Sequence, residues 1–328
     1  MGEVGKDTER IVAELYSRFY ESEPVASQML SSHWGKYSRE FVVSSKGGKV
    51  RPLTGSGFGN CYRHFNFQTF LDWITIQSYL RRDSERKSIL LLMKKALDLS
   101  RRMGFKFSYD FFRQVCALNL IMKHVDKSGK LRILNIGDGY GFLSVLIKEI
   151  FPGSSICLVD IGRTLLFQAY YCGISHPGCR HSLVIDETFR PSNLNDSDFI
   201  YCPAEELHKI EGLKFNLAIN IASMQEMTSE TVKVYFDFLR RNMSSGNLFY
   251  CCNREDKVMA GGEVSRFFLY PWDKQDRILI DEQCAWYKYF VSCRTIGRGP
   301  RILNFRVPFV NYFDGIHWQR LAVLRTYQ

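Results

Sequence analysis

A chain of 328 residues, 45% hydrophobic and 24% charged, can bury a full core and is too apolar for wholesale disorder. Its net charge of +10 favours anionic partners, such as nucleotide-linked substrates, nucleic acid or a membrane surface. The ten cysteines lack paired metal-ligand spacing, the charged start MGEVGKDTER lacks the apolar run of a signal peptide, and the aliphatic stretch at 89–93 falls far short of the roughly 20 residues of a membrane span, which together exclude a zinc ribbon and a spanning segment and point to free thiols in the cytoplasm.

Residues 1–125 read as a helical N-terminal cap. Ile11, Val12, Leu15 and Phe19 recur at helical spacing after Thr8, a candidate N-cap. Phe67, Phe70, Leu71 and Ile74 mark a second helix. A third begins at Ser84 and stops at Gly104, and a fourth covers 108–124. Between the first two lies a glycine-dense segment, 46–60, whose backbone freedom predicts a loop, either a connector or a lid over a site.

From residue 126 onward the pattern changes to alternating strands and helices. Strands are predicted at 131–136, 155–159, 199–202, 215–221 and 247–252, with helices at 142–150, 164–172 and 229–243. Such alternation predicts a parallel α/β sheet covered on both faces. Residues 285–293 and 317–326 read as longer strands forming an antiparallel hairpin at one sheet edge.

The glycines of Gly137-Asp138-Gly139-Tyr140-Gly141 end the first of these strands and open a helix, where a ligand can approach the backbone near the helix N-terminus. Asp160, with Ile161 beside it, ends the next strand 19 residues beyond Gly141, the place of a ribose-binding acid. The position three after Gly139 is Phe142, so the spacing is G-x-G-x-G rather than the dinucleotide G-x-G-x-x-G.

That spacing matches the first motif of class I methyltransferases, which bind S-adenosyl-L-methionine. Together with Leu158-Val-Asp160, Ser223-Met-Gln-Glu-Met227 and Phe249-Tyr-Cys-Cys-Asn-Arg254, it resembles the sugar O-methyltransferases of bacterial surface-polysaccharide gene clusters over roughly the C-terminal 200 residues. The resemblance implies a Rossmann-like seven-stranded sheet over 126–328, S-adenosyl-L-methionine as cofactor, and a sugar or glycan acceptor, possibly nucleotide-linked. The chain departs from the pattern at Asn135, where an acid is usual, and near Pro203, where the adenine-side acid would fall. Ala204 can offer its amide there and Glu205 a side-chain acceptor.

Methyl transfer to oxygen needs alignment and removal of a proton from a poorly acidic hydroxyl. Fold logic places the groups for this beyond the fourth and fifth strands of the domain: Asn220 at one tip, then Gln225 and Glu226, then Asn253 and Arg254. Glu226 is the first candidate for general base; a carboxylate favoured by the dipole of the 229 helix is the alternative. Arg51, Gln225, Asn253, Arg254 and Arg266 are candidate acceptor contacts, and Tyr270 and Trp272 offer either ring faces for a sugar or ordinary core. His64, after the glycine-rich segment, is a candidate catalytic residue or a structural histidine. No metal is assigned. RNA methylation, motivated by the charge, and a degenerate, non-catalytic binding protein, motivated by Asn135, are the alternative functions.

Overall fold

The computed structural model describes residues 5–21, 31–47, 49–55, 61–185, 196–291, 301–303, 305–306, 310–312 and 315–327. Helix α1 (Lys6–Tyr16) is capped by Gly5 rather than Thr8. Thr8 is buried in its first turn, where its methyl fills the space that a side chain at Gly173 would need. A π-type turn (Ser17–Glu21) follows, and then the short helix α2 (Ser32–Tyr37).

The glycine-dense segment is not a loop in its first half. Strands β1 (Val42–Lys46) and β2 (Lys49–Thr54) form an antiparallel ribbon turning at Gly47, whose φ of +57° suits glycine. The rest of that segment, 56–60, lies outside the described residues.

Helices α3 (Phe67–Leu80), α4 (Arg86–Arg102) and α5 (Tyr109–Ile121) complete the N-terminal part. Asn66 and Thr69 form a reciprocal capping box on α3, and Ser108 caps α5 through the Phe111 amide. Helix α4 starts two residues later than the sequence suggests, because Asp83 holds the Glu85 amide in a turn.

The remaining chain runs β3 (Arg132–Ile136), α6 (Phe142–Ile150), β4 (Ser155–Asp160), α7 (Gly162–Ser175), β5 (His181–Leu183), β6 (Phe199–Pro203), β7 (Phe215–Ile221), α8 (Ser229–Asn242) and β8 (Met243–Arg254). It continues through β9 (Asp256–Val258), β10 (Val264–Arg266), β11 (Arg277–Gln283), β12 (Tyr289–Val291), β13 (Arg301–Ile302), β14 (Phe305–Arg306), β15 (Val310–Tyr312) and β16 (His317–Val323).

The main sheet has the order β11-β16-β8-β7-β3-β4-β6-β5. Strands β5, β6, β4, β3, β7 and β8 are parallel, and β16 is inserted antiparallel between β8 and β11. Seven of these strands give the Rossmann-like methyltransferase order with its reversed last strand, and the three-residue β5 adds an eighth at the edge.

The terminal hairpin exists, but its first strand is β11. Residues Ala285–Tyr287 form a 3-10 turn, and β12 pairs with β15 in a separate ribbon, so the strand expected over 285–293 is corrected as far as it is described. Strand β11, Arg277-Ile-Leu-Ile-Asp-Glu-Gln283, is largely exposed and held partly by Asp281 on Arg320 and Glu282 on Gln319. It carries no apolar alternation to announce it.

Period-two alternation divides the core. Leu158, Tyr201, Ile219, Tyr250 and Cys252 face α1 and α4–α7, whereas Val159, Cys202, Ala218, Phe249 and Cys251 face α8 and the 3-10 turn Ala204–Ile210. The adjacent Cys251 and Cys252 therefore point to opposite faces. Among the described residues no helix is long and apolar enough to cross a membrane.

Candidate active site

The glycine turn sits between β3 and α6. Gly137, Gly139 and Gly141 have φ of +75°, +55° and +80°, the left-handed region that side chains resist. A Cβ on Gly137 would collide with Ser223 Oγ, so the backbone there is also sterically closed to any larger residue. The Gly137 amide still donates to Val159 O at 3.0 Å, so pairing with β4 persists into the turn.

Asp138 and Asn135 support this turn from behind. The Asp138 carboxylate accepts the amides of Leu143 (3.2 Å) and Ser144 (2.8 Å), capping α6, and burial pushes its carboxyl up to about 7. Asn135 is buried and donates to Ser144 Oγ at 3.0 Å. Tyr140 packs on Phe105, Phe167 and Tyr171, and its hydroxyl donates to Gly55 O at 3.3 Å. The end of the β1–β2 ribbon thus reaches the glycine turn.

Asp160 ends β4 half-buried. One oxygen accepts the Ile161 amide (2.8 Å) and the other Gln168 Nε2 (2.7 Å), leaving two of its roughly four acceptor positions. Burial, with the nearby charges of Asp138 and Glu226, raises its carboxyl to about 7. At the tip of β6, Ala204 is buried at the start of its 3-10 turn and Glu205 is exposed.

Across the strand ends the N-terminal segment forms a strap that the sequence does not announce. Arg18 bonds Glu206 at 2.8 Å. The Phe19 ring covers Gly162, occupying the place of a Cβ there. Arg163 donates to Phe19 O (2.9 Å) and Ser38 O (3.1 Å), and Tyr20 donates to Arg163 O at 2.9 Å. Farther along, Ser31 donates to Glu226 O, and Ser32 bonds Glu263 at 2.7 Å and receives the Gly261 amide at 2.9 Å. Residues 17–21 and 31–38 therefore lie over β6, β4 and the loops after β7 and β8.

Beyond β7 and β8 a chain of buried amides fixes the loops. Asn220 Nδ2 donates to Ile136 O (2.9 Å), Asn253 Nδ2 to Asn220 Oδ1 (2.8 Å), Gln225 N to Asn253 Oδ1 (3.0 Å) and Arg254 N to Gln225 Oε1 (2.7 Å). Asn220, Gln225 and Asn253 thus have their amide groups engaged within the protein, which fits positioning better than direct ligand contact. Ala222 adopts φ +56°, a strained left-handed residue that delivers Ser223 against Gly137.

This frame presents Glu226, buried in a 3-10 turn (Met224–Glu226). Helix α8 is capped by Thr228, so Glu226 is not its cap. Glu226 Oε1 takes Lys257 Nζ at 2.5 Å and lies 3.4 Å from His33 Nε2. Burial raises the Glu226 carboxyl despite Lys257, and burial with Lys257, Arg254 and Lys36 lowers His33 to about 4, so this imidazole is neutral at pH 7. Lys257 and His33 escape a reading of the sequence, because a lone lysine after β8 and a lone histidine 193 positions before Glu226 carry no spacing signal.

Other candidates fall outside this cluster. His64 is exposed ahead of α3. Arg51 is exposed on β2 beside Tyr170, and Arg266 is exposed and faces Asp256 at 3.4 Å. Tyr270 is core, its hydroxyl meeting Ser265, and Trp272 is half-buried against the same cluster, packed on Phe236 (4.9 Å between centroids) and Phe249, under Arg320. Arg254 is half-buried near Glu226 and His33, within the cluster's electrostatic reach.

No protein family description matches the sequence, and no curated protein matches it. Among solved structures, N-methyltransferase NodS from Bradyrhizobium japonicum WM9 is similar at 11% identity, with 66% of this chain and 96% of that chain covered and a TM-score of 0.40. Coclaurine N-methyltransferase, solved with N-methylheliamine and SAH, is similar at 10% identity over 85% of this chain and 73% of its own, with a TM-score of 0.37. The phosphoethanolamine N-methyltransferase 2 of Haemonchus contortus gives 14%, 65%, 40% and 0.33 for the same quantities. The fold is given by the strand order, not by these likenesses.

Proposed function

We propose that this chain is an S-adenosyl-L-methionine-dependent methyltransferase, with residues 1–125 capping a cofactor domain over 126–328, and that it methylates a hydroxyl of a nucleotide-linked or glycan-embedded sugar. The observation that carries the cofactor reading is the turn of three left-handed glycines at the end of β3 beside a carboxylate at the end of β4. Those residues fit the group. Asp160 keeps acceptor positions for ribose hydroxyls, the glycine backbone admits close approach, and Ile161, Ala204 and Glu205 border the adenine side. Asn135 is satisfied by Ser144 and supports the turn, so its lack of charge does not argue for a degenerate site.

When bound, the cofactor supplies an electrophilic sulfonium methyl. The chain's own residues align the acceptor and take its proton. Glu226 is the proton acceptor in this reading: Lys257 bonds Oε1, His33 lies beside it, and Gln225 bonds the same carboxylate, so the group is held in one place at the strand ends. The strap over the strand ends excludes water, and Arg254 offers a cation to a phosphate on the acceptor. The family resemblance supports the choice of a sugar.

The test is calorimetric titration with S-adenosyl-L-methionine, then transfer from the labelled cofactor to panels of sugar nucleotides, glycans and structured RNAs. Saturable binding with label in a sugar is the expected result. Label in RNA alone would replace the carbohydrate reading, and no cofactor binding would remove the enzyme reading altogether.

A further inference from the structure

Helix α3 is apolar on two faces. Leu71, Thr75, Ile76 and Leu80 are buried inward, and Asp72 accepts the Tyr109 amide at 3.0 Å on that side. On the other side Phe67, Phe70 and Ile74 follow helical spacing, with Trp73 beside them and Phe65 just before the cap. Phe65, Phe67, Phe70, Trp73 and Ile74 are 72%, 56%, 47%, 42% and 42% exposed. The Phe67 and Phe70 rings lie 6.2 Å apart, so the apolar surface is continuous there. A contiguous exposed aromatic and aliphatic face of this kind marks a surface with a non-aqueous partner.

What lies at its C-terminal end identifies that neighbour. Arg81 and Arg82 directly follow α3, Arg86 and Lys87 open α4, and all four are exposed. The nearby acids are engaged elsewhere: Glu85 faces Lys123 at 3.1 Å and Asp83 holds the Glu85 amide. Among the described residues no carboxylate lies within ion-pair distance of the four cations. Aromatic residues beside an uncompensated basic cluster are the composition of a helix that lies in the interface of an anionic bilayer.

We propose that the outer face of α3 docks on an anionic membrane surface, with Phe67, Phe70, Trp73 and Ile74 entering the headgroup boundary and Arg81, Arg82, Arg86 and Lys87 meeting the lipid phosphates. A second copy of the chain fits less well. The exposed apolar area, roughly 500 Å² for side chains of this size, falls below the ~800 Å² per partner of a stable interface. A two-fold contact would also bring a second copy of the cationic cluster to the same face.

The experiment is co-sedimentation of the full chain with vesicles of phosphatidylcholine alone or mixed with phosphatidylserine. It is repeated with Phe70→Glu/Trp73→Glu and with Arg81→Glu/Arg82→Glu, whose melting curves report that they fold. Wild type is expected to bind the mixed vesicles and not the neutral ones, and each double variant to lose about tenfold or more. Absence of binding to the mixed vesicles, or binding unchanged in both variants, overturns the proposal. So does light scattering that shows a wild-type dimer made monomeric by Phe70→Glu/Trp73→Glu.

Discussion

Gly137 combines two constraints that are usually separate, a left-handed φ and a neighbour, Ser223, whose side chain already occupies the place of a Cβ. Gly137→Ala should destabilise the fold by about 1–3 kcal/mol and weaken S-adenosyl-L-methionine binding. Ser223→Gly in the same chain removes the collision but not the φ strain, so it should restore part of the stability. Urea unfolding of the single and double variants checks this, and equal stability of Gly137→Ala and wild type would contradict it. Asp160 adds a pH dependence. Its raised carboxyl stabilises the ligand-free fold fully below the unfolded value of 3.8, and that contribution is lost as pH rises through about 7. Cofactor affinity runs the other way, because ribose hydroxyls and a sulfonium both favour the ionised form. Between pH 6 and pH 8 the dissociation constant should fall about tenfold, and Asp160→Asn should abolish that slope. A slope that survives in Asp160→Asn would assign it to Asp138, which also titrates near 7.

At the scale of elements, the site is carried by turns whose geometry depends on distant partners. The helix Phe142–Ile150 and the strand Phe215–Ile221 are legible in the sequence because glycine punctuation and continuous apolar runs bound them. The glycine turn and Asp160 are legible for the same reason. The strap is not: residues 17–21 and 31–38 have no glycine-rich signal, and their place is set by Arg163, Glu206 and Glu226, far along the chain. The amide chain Asn220–Asn253–Gln225 likewise reads as exposed ligand contacts until burial shows its hydrogen bonds closed upon one another. The turn bearing Glu226 yields the next prediction. Glu226→Gln keeps volume and polarity but loses the proton acceptor, so turnover should drop by about 10²-fold with cofactor affinity unchanged. His33→Asn tests the positioning role separately: a smaller loss of turnover with an altered pH profile is expected. Full turnover in Glu226→Gln would leave that carboxylate as an anchor for Lys257 only.

For the molecule as a whole, the N-terminal helices and the cofactor sheet share one apolar core. Ile11, Val12, Leu15 and Phe41 belong to the same buried cluster as Leu146, Leu158, Phe167 and Tyr171. Helix α1 lies on α7, with Thr8 seated at Gly173, and α7 in turn covers β4 and β6. Melting the cofactor layer therefore exposes the surface on which α1 rests, and removing α1 uncovers α7. Such shared burial makes unfolding cooperative, and a ligand that binds only the folded state raises the stability of the whole cooperative unit. Calorimetry of the full chain should accordingly show one transition, displaced upward as a unit by S-adenosylhomocysteine. Ile11→Ala, fully buried on α1 yet remote from the glycine turn, should cost about 2–5 kcal/mol and lower that same transition. Amide exchange should show residues 31–38 gaining protection together with residues 137–141 when the ligand is bound, because the strap closes over the ends of the strands that hold it. Two separable transitions, with only one of them moved by the ligand, would show that the N-terminal helices stand apart from the cofactor layer and would detach the strap from its control.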